Sequence, residues 1–274
     1  MTNGSARIEL DDGAPVELLG RHVLVTGASR GIGAAIAREM ARGGARVALV
    51  SRRLEHAEAA RAALPHPERH AAYAADVTVE RAAGELVARV EAAGGPLFAL
   101  VNNVGRGEAV GFVEAGESHW REMIDANLMS AVFCTRAALG GMRARHEGRI
   151  VNVASTASLR GYRYVSAYTA AKHALLGLTR SLALEVGKDG ITVNAVCPGY
   201  TDTEMLARSA RAASARTGQS EAEMRARFAA DNQGGRLVQP GEVARVVAWF
   251  CGSRAAAITG KHVVVDGRQL EIGA

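Results

Sequence analysis

Along this chain, short runs of apolar residues alternate with longer stretches in which apolar positions recur every three or four residues. The short runs are His22–Thr26, Arg46–Ser51, Ala72–Ala75, Leu97–Val101, Arg149–Ala154, Ile191–Val196 and His262–Val265. Most are continuously apolar and rich in valine or isoleucine rather than alternating, the pattern of strands covered on both faces. Between them, helical spacing appears at Ile32, Ile36 and Met40, over Leu54–Leu64, Thr78–Ala93, Trp120–Arg145 and Ser166–Val186, and over Val243–Cys251. Thr78 is a suitable N-cap for the third of these, and Gly94-Gly95-Pro96 a firm stop. Seven strands alternating with about six helices predict an α/β, doubly wound Rossmann-type fold: a seven-stranded, mostly parallel sheet with helices on both faces.

In such a sheet, ligands bind beyond the carboxyl ends of the strands. Thr26, Ser51, Asp76, Val101, Ser155 and Cys197 fall at or near those ends and are predicted to line one edge. The 274 residues fit one domain over residues 19–274, preceded by a polar leader, residues 1–18, expected to be partly disordered. Residues 202–235 contain no strand pattern and are rich in Ala, Arg, Ser and Glu, which predicts a mobile helical lid.

Composition removes several function classes. Hydrophobic residues make up 48% of the chain, enough for a large core, and no run is long enough to span a bilayer. The net charge of +5 comes from scattered arginines, and aromatics are only 4%, so no nucleic-acid stacking platform is visible. The start lacks the basic end and apolar stretch of a signal peptide. Cys134, Cys197 and Cys251 are widely separated, which argues for buried thiols in a reducing cytoplasm. His66 and His70 are four apart, but Pro65 and Pro67 interrupt any helix joining them, so no metal site is expected.

Two features carry chemistry. Lys172, one of only three lysines, follows Tyr168 by four positions, so on a helix the two share a face. An adjacent ammonium is one means of bringing a phenol into use as an acid or base. Thirteen residues before Tyr168, Ser155 ends a predicted strand and offers a hydroxyl to polarise a substrate oxygen. The second feature is Thr26-Gly27-Ala28-Ser29-Arg30-Gly31-Ile32-Gly33, between the first strand and first helix. There, glycines admit a pyrophosphate to backbone amides at a helix N-terminus. The spacing differs from Gly-x-Gly-x-x-Gly and lacks the Gly-Lys-Ser/Thr of a triphosphate loop.

Together these residues resemble the short-chain dehydrogenase/reductase family in its compact single-domain branch, over about Leu19 to Gly267. The resemblance implies that Gly27, Ser29, Arg30, Gly31, Ile32 and Gly33 hold the dinucleotide phosphates. It further implies that Asp76 and Val77 contact adenine, and that Asn103, Val104 and Gly105 border the adenosine ribose. Asn127, Ser155, Tyr168 and Lys172 then form the catalytic tetrad, with Tyr168 and Lys172 also touching cofactor. Asn127 would anchor a relay water, and Pro198, Gly199, Thr201 and Thr203 would contact nicotinamide. Val104 stands in place of the family's usual alanine and Ala171 in place of a serine.

Cofactor choice is argued from charge. NAD-binding proteins usually place an acid at the end of the second strand; here Ser51 takes that place, followed by Arg52 and Arg53. Guanidiniums, Arg30 included, suit a 2′-phosphate, so NADP(H) is expected ahead of NAD(H). The expected activity is hydride transfer between nicotinamide and a ketone or secondary alcohol. The chain is similar to 3-oxoacyl reductases and polyketide ketoreductases, with coenzyme A or acyl carrier protein as a candidate carrier attracted by Arg106, Arg160 and Arg163. An NAD-linked secondary alcohol or 3-hydroxyacyl dehydrogenase is the competing reading, and a non-catalytic nucleotide sensor a remote one. By analogy a homotetramer or homodimer is expected.

Overall fold

A computed structural model describes residues 6–7, 14–268 and 270–273. The strands are β1 (Ala6–Arg7), β2 (His22–Thr26), β3 (Arg46–Ser51), β4 (Ala71–Ala74), β5 (Ala99–Asn102), β6 (Gly148–Val153), β7 (Ile191–Pro198), β8 (His262–Val265) and β9 (Glu271–Gly273). The helices are α1 (Gly31–Arg42), α2 (Leu54–Ala62), α3 (Glu80–Gly94), α4 (Glu117–Ile124), α5 (Ser130–Arg145), α6 (Ser166–Val186), α7 (Glu204–Thr217), α8 (Glu221–Asp231) and α9 (Pro240–Cys251). None is long and apolar enough to cross a membrane among the described residues.

All strands join one sheet in the order β1-β9-β8-β7-β6-β5-β2-β3-β4. From β8 to β4 every pairing is parallel, which is the expected seven-stranded Rossmann core. Two short antiparallel strands extend it: β9 pairs with β8, and β1 with β9. Ala6–Arg7 lies in the stretch read as a polar leader, and Leu18 in the same stretch is buried.

The continuous apolar strands follow from cover on both faces. Successive side chains point to opposite sides of a strand. Thus Val23, Val25, Val47, Leu49 and Val101 pack with Ile36 and Met40 of α1 and with Val243–Cys251 of α9. Leu24, Ala48, Val50, Leu100 and Ile150 face the other way, onto Leu86 and Val90 of α3, Met142 of α5 and Val186 of α6.

One predicted helix is three elements. The Trp120–Arg145 pattern is α4, a five-residue π-turn at Asp125–Met129, and α5. Thr78 is also not the cap of α3: Val79 holds that position, and the Thr78 backbone N–H and hydroxyl donate to Asp76 Oδ1 at 3.0 and 2.6 Å. The order in which strands are added reverses between the parallel neighbours β2 and β5, whose carboxyl ends open a crevice at the switch point of the sheet.

Candidate active site

The crevice is fastened by a few short bonds. Thr26, the last residue of β2, donates from Oγ1 to the Val101 carbonyl oxygen (3.3 Å) and accepts from the Asn103 N–H (3.0 Å). The Asn103 side-chain amide donates in turn to the Thr26 and Gly27 carbonyl oxygens, at 3.0 and 3.1 Å. Gly27 and Gly31 have φ of 63° and 55°, a region that favours glycine. At Gly33 the constraint is space: a Cβ there would strike the Gly27 carbonyl oxygen and the Asn103 amide. Arg30, at the N-cap of α1, provides no side-chain cap. The result is a cradle at a helix N-terminus in which positions 27, 31 and 33 call for glycine, and it fits a dinucleotide pyrophosphate.

Around it, Ser29 is half-buried, and Ile32 packs against the core beneath the loop. Ser51 ends β3 and accepts from the Arg53 N–H at 3.3 Å. Of the three arginines expected to meet a 2′-phosphate, Arg52 is exposed with no ion pair among the described residues. Arg53 is paired with Glu55 at 2.5 Å, and Arg30 with Glu204 at 2.8 Å. Asp76 is exposed and closes a turn onto Thr78, while Val77 is buried. Val104 packs against the core and lies 3.3 Å from where a Gly27 Cβ would stand.

The candidate catalytic residues meet on the far side of the crevice. Tyr168 and Lys172 lie on the same face of α6, and Ser155 follows β6. Ser155 accepts from the Ala157 N–H at 3.1 Å, and its hydroxyl is near enough to Tyr168 to act on the phenol electrostatically. Lys172 is 3% exposed; its Nζ lies 5.8 Å from the Tyr168 ring centre and donates to the Val153 carbonyl oxygen at 2.8 Å. The cradle and this group are joined through Gly105, where an added Cβ would stand 3.5 Å from Lys172 Nζ.

Burial sets the direction of both titratable groups here: it pushes Tyr168 above the ordinary phenol value, and Ser155 opposes that only in part. Burial acts on the lysine too, lowering it to about 8. Desolvation disfavours whichever form is charged, so it raises one group and lowers the other. The Asn127 amide is engaged with the backbone on both sides. Its Nδ2 donates to the Arg106 and Met123 carbonyl oxygens (2.8 and 2.9 Å), and its Oδ1 accepts from the Arg106 N–H at 3.1 Å. The amide in the π-turn thereby clamps the segment after Gly105.

Pro198 and Gly199 leave β7 toward the crevice, and a Cβ on Gly199 would strike Asn232 Oδ1. Thr201 is buried and forms a bridge to Val238. Thr203 caps α7 by accepting from the Leu206 N–H at 3.3 Å, and its Cγ2 lies 3.3 Å from where a Gly31 Cβ would be. Residues 202–235 include α7 and α8, and α7 starts over the cradle, where Thr203 faces Gly31.

The arginines expected to draw in a carrier are largely committed. Arg106 pairs with Glu108 (2.7 Å) and Glu122 (2.5 Å), and Arg160 donates to the Tyr162 hydroxyl (2.8 Å) and the Asp231 carbonyl oxygen (2.9 Å). Neither Arg160 nor Arg163 forms an ion pair among the described residues, and Arg163 alone of the three makes no side-chain hydrogen bond there.

Sequence reasoning passed over Tyr162, Tyr200 and Phe228. Tyr200 stacks on Phe228 with ring centres 4.7 Å apart, and Tyr162 meets Tyr200 edge-on at 6.0 Å. Tyr162 and Tyr200 are both close enough to Tyr168 to interact with it electrostatically. A signal was present: aromatics are scarce in this chain, and two of these three flank the motifs at Tyr168 and Pro198.

A parallel α/β sheet with a glycine cradle and a serine–tyrosine–lysine group at its switch point defines a dinucleotide-dependent oxidoreductase of the Rossmann class. Residues 21–214 match the short chain dehydrogenase family, and the chain belongs to that family, whose members act on CH–OH groups. It is 38% identical to an acetoacetyl-CoA reductase of Shinella zoogloeoides over 92% of this chain and 99% of that protein. A variant of actinorhodin polyketide ketoreductase crystallised with NADPH superposes with a TM-score of 0.86, at 38% identity, over 90% of this chain and 96% of that one. The L-sorbose reductase of Gluconobacter frateurii, complexed with NADPH and L-sorbose, gives a TM-score of 0.87 at 30% identity, over 93% and 98%.

Proposed function

We propose that this protein is an NADP(H)-dependent ketoreductase whose working direction is carbonyl reduction. The observation that carries the reading is the buried Lys172, its ammonium 5.8 Å from the Tyr168 ring centre and 3.5 Å from where a Gly105 Cβ would stand, on the segment that borders the glycine cradle. NADPH would lie along Gly27–Gly33 and supply the hydride. Ser155 holds the substrate oxygen, and Tyr168 gives its proton to that oxygen as it becomes an alcohol. A phenol raised by burial stays protonated at neutral pH, the state a proton donor needs. Lys172, held by the Val153 carbonyl oxygen, sets its charge where negative charge on Tyr168 develops.

NADP(H) is favoured over NAD(H) because no acid ends β3 and Arg52 is free to meet a 2′-phosphate. The two NADPH-bound neighbours support the same choice. We further propose one catalytic domain over residues 19–274 with α7 and α8 as its lid, a cytoplasmic site of action, and a homotetramer or homodimer through helix faces that leave Leu184 of α6 87% exposed. The test is steady-state oxidation of NADPH and NADH against 3-oxoacyl thioesters and cyclic and acyclic ketones. No turnover with any of them overturns the reading, and a higher kcat/KM with NADH overturns the cofactor assignment.

A further inference from the structure

Tyr162, Tyr200 and Phe228 come from three separate segments: the loop between β6 and α6, the exit of β7, and α8 of the lid. They stand outside the three core clusters and all are half-buried, so the group keeps an open side; Tyr162 is tied to Thr156, the neighbour of Ser155, and both tyrosines interact electrostatically with Tyr168. Tyr162 is held from behind, its hydroxyl 2.8 Å from Thr156 Oγ1 and accepting from Arg160 Nε at 2.8 Å. Asn232 fixes Tyr200 from the lid side: its Oδ1 accepts from the Tyr200 N–H, and its Nδ2 donates to the Tyr200 carbonyl oxygen, both at 2.8 Å. Tyr200 therefore sits on a braced backbone, with its ring clamped between the other two.

We infer that these three rings form a rigid aromatic wall that selects a cyclic, planar ketone over an acyclic 3-oxoacyl chain. The inference rests on the ketoreductase reading and narrows its substrate class. Aromatic rings favour offset or edge-on contact with another flat π-system, an attraction that a flexible acyl chain does not return. Preorganised rings also spare the entropy of ordering a wall at each binding event. The alternative class, a thioester steered by its carrier's phosphates, finds Arg106 and Arg160 already engaged.

The test compares 1-tetralone, a bicyclic aryl ketone, with ethyl acetoacetate, using the full chain and NADPH. Wild type is expected to favour 1-tetralone in kcat/KM. Phe228→Ala should lower the ratio of the two kcat/KM values roughly five- to tenfold, mainly through KM, and Phe228→Tyr should restore it. Binding is read separately, as the rise in melting temperature that 1-tetralone gives to wild type and that Phe228→Ala should lose. Tyr162→Leu, on the other side of the wall, provides the same comparison if Phe228→Ala does not fold. A wild type that prefers ethyl acetoacetate, or a ratio unchanged in the variants, overturns the wall. If neither ketone is reduced but the melting shift persists and depends on Phe228, the wall stands and the ketoreductase reading falls.

Discussion

The Lys172 ammonium lies 5.8 Å from the centre of the Tyr168 ring, yet its hydrogen bond goes to the Val153 carbonyl oxygen at 2.8 Å. The two groups are therefore neighbours that burial drives in opposite directions, one pKa up and the other down.

Tyr168→Phe removes the proton donor and leaves the ring in place. Turnover should fall about 10²- to 10⁴-fold, the usual worth of a positioned acid. Binding of NADPH, followed by fluorescence titration, should change little. Turnover near the wild-type rate would show that another group supplies the proton.

For Lys172 the pKa shift becomes a pH-dependent stability. Its folded value near 8 lies below the ordinary 10.5, so between those limits the unfolded chain holds more protons than the native one. Stability from this group therefore rises with pH in that window, and below pH 8 the buried charge is a constant cost. Urea unfolding of wild type and Lys172→Met should show the difference moving in favour of wild type by roughly 2.5 kcal/mol between pH 7 and 10. Tyr168, raised instead, works in the reverse sense only above its ordinary value, outside this scan. A difference that does not vary with pH would place the folded lysine near its ordinary value.

Arg52 is the guanidinium near the end of β3 with no ion pair to break among the described residues. Arg52→Ala should raise the KM for NADPH about tenfold or more, the worth of a charge-assisted bond, with little effect on NADH. Arg53→Ala should do less, since Glu55 already holds that side chain. Equal effects on both cofactors would remove Arg52 from the 2′-phosphate.

Asn127→Ala strips partners from the Arg106 N–H and from the Arg106 and Met123 carbonyl oxygens at once. Stability should drop by about 3 kcal/mol in urea unfolding. Turnover should fall with it, because the freed segment adjoins Gly105, which lies between Asn127 and Lys172. Unchanged stability would mean water replaces the amide without cost.

The core of the fold was legible because its signals are local. Continuous apolar runs such as Leu24–Val25 and Ile150–Val151 record cover on both faces, and the glycines after Thr26 record a turn into a helix. What escaped depends on residues far apart. The π-turn at Asp125–Met129 leaves helical periodicity nearly intact and becomes visible only when Asn127 is seen gripping Arg106, twenty-one positions away. Strands β1 and β9 are two and three residues long, too short for a pattern, and β1 finds its partner only at the opposite end of the chain. At the site, four-residue spacing puts Tyr168 and Lys172 on one face of a helix, but spacing has no access to burial, and burial sets the sign of both shifts. Arg30 looked available for phosphate until Glu204, from the lid, came within 2.8 Å.

The three cysteines lie in three different core clusters: Cys251 at the end of α9 in the cluster shared with α1, Cys134 on the opposite face of the sheet, and Cys197 behind the catalytic group. Burial pushes each thiol up to about 12. A native molecule thus presents alkylating reagents with almost no thiolate, and each sulfur reacts only when its own cluster opens. Timed iodoacetamide labelling with peptide mass mapping would turn them into three built-in clocks, reporting whether the two faces of the sheet and the catalytic corner come apart together or in turn.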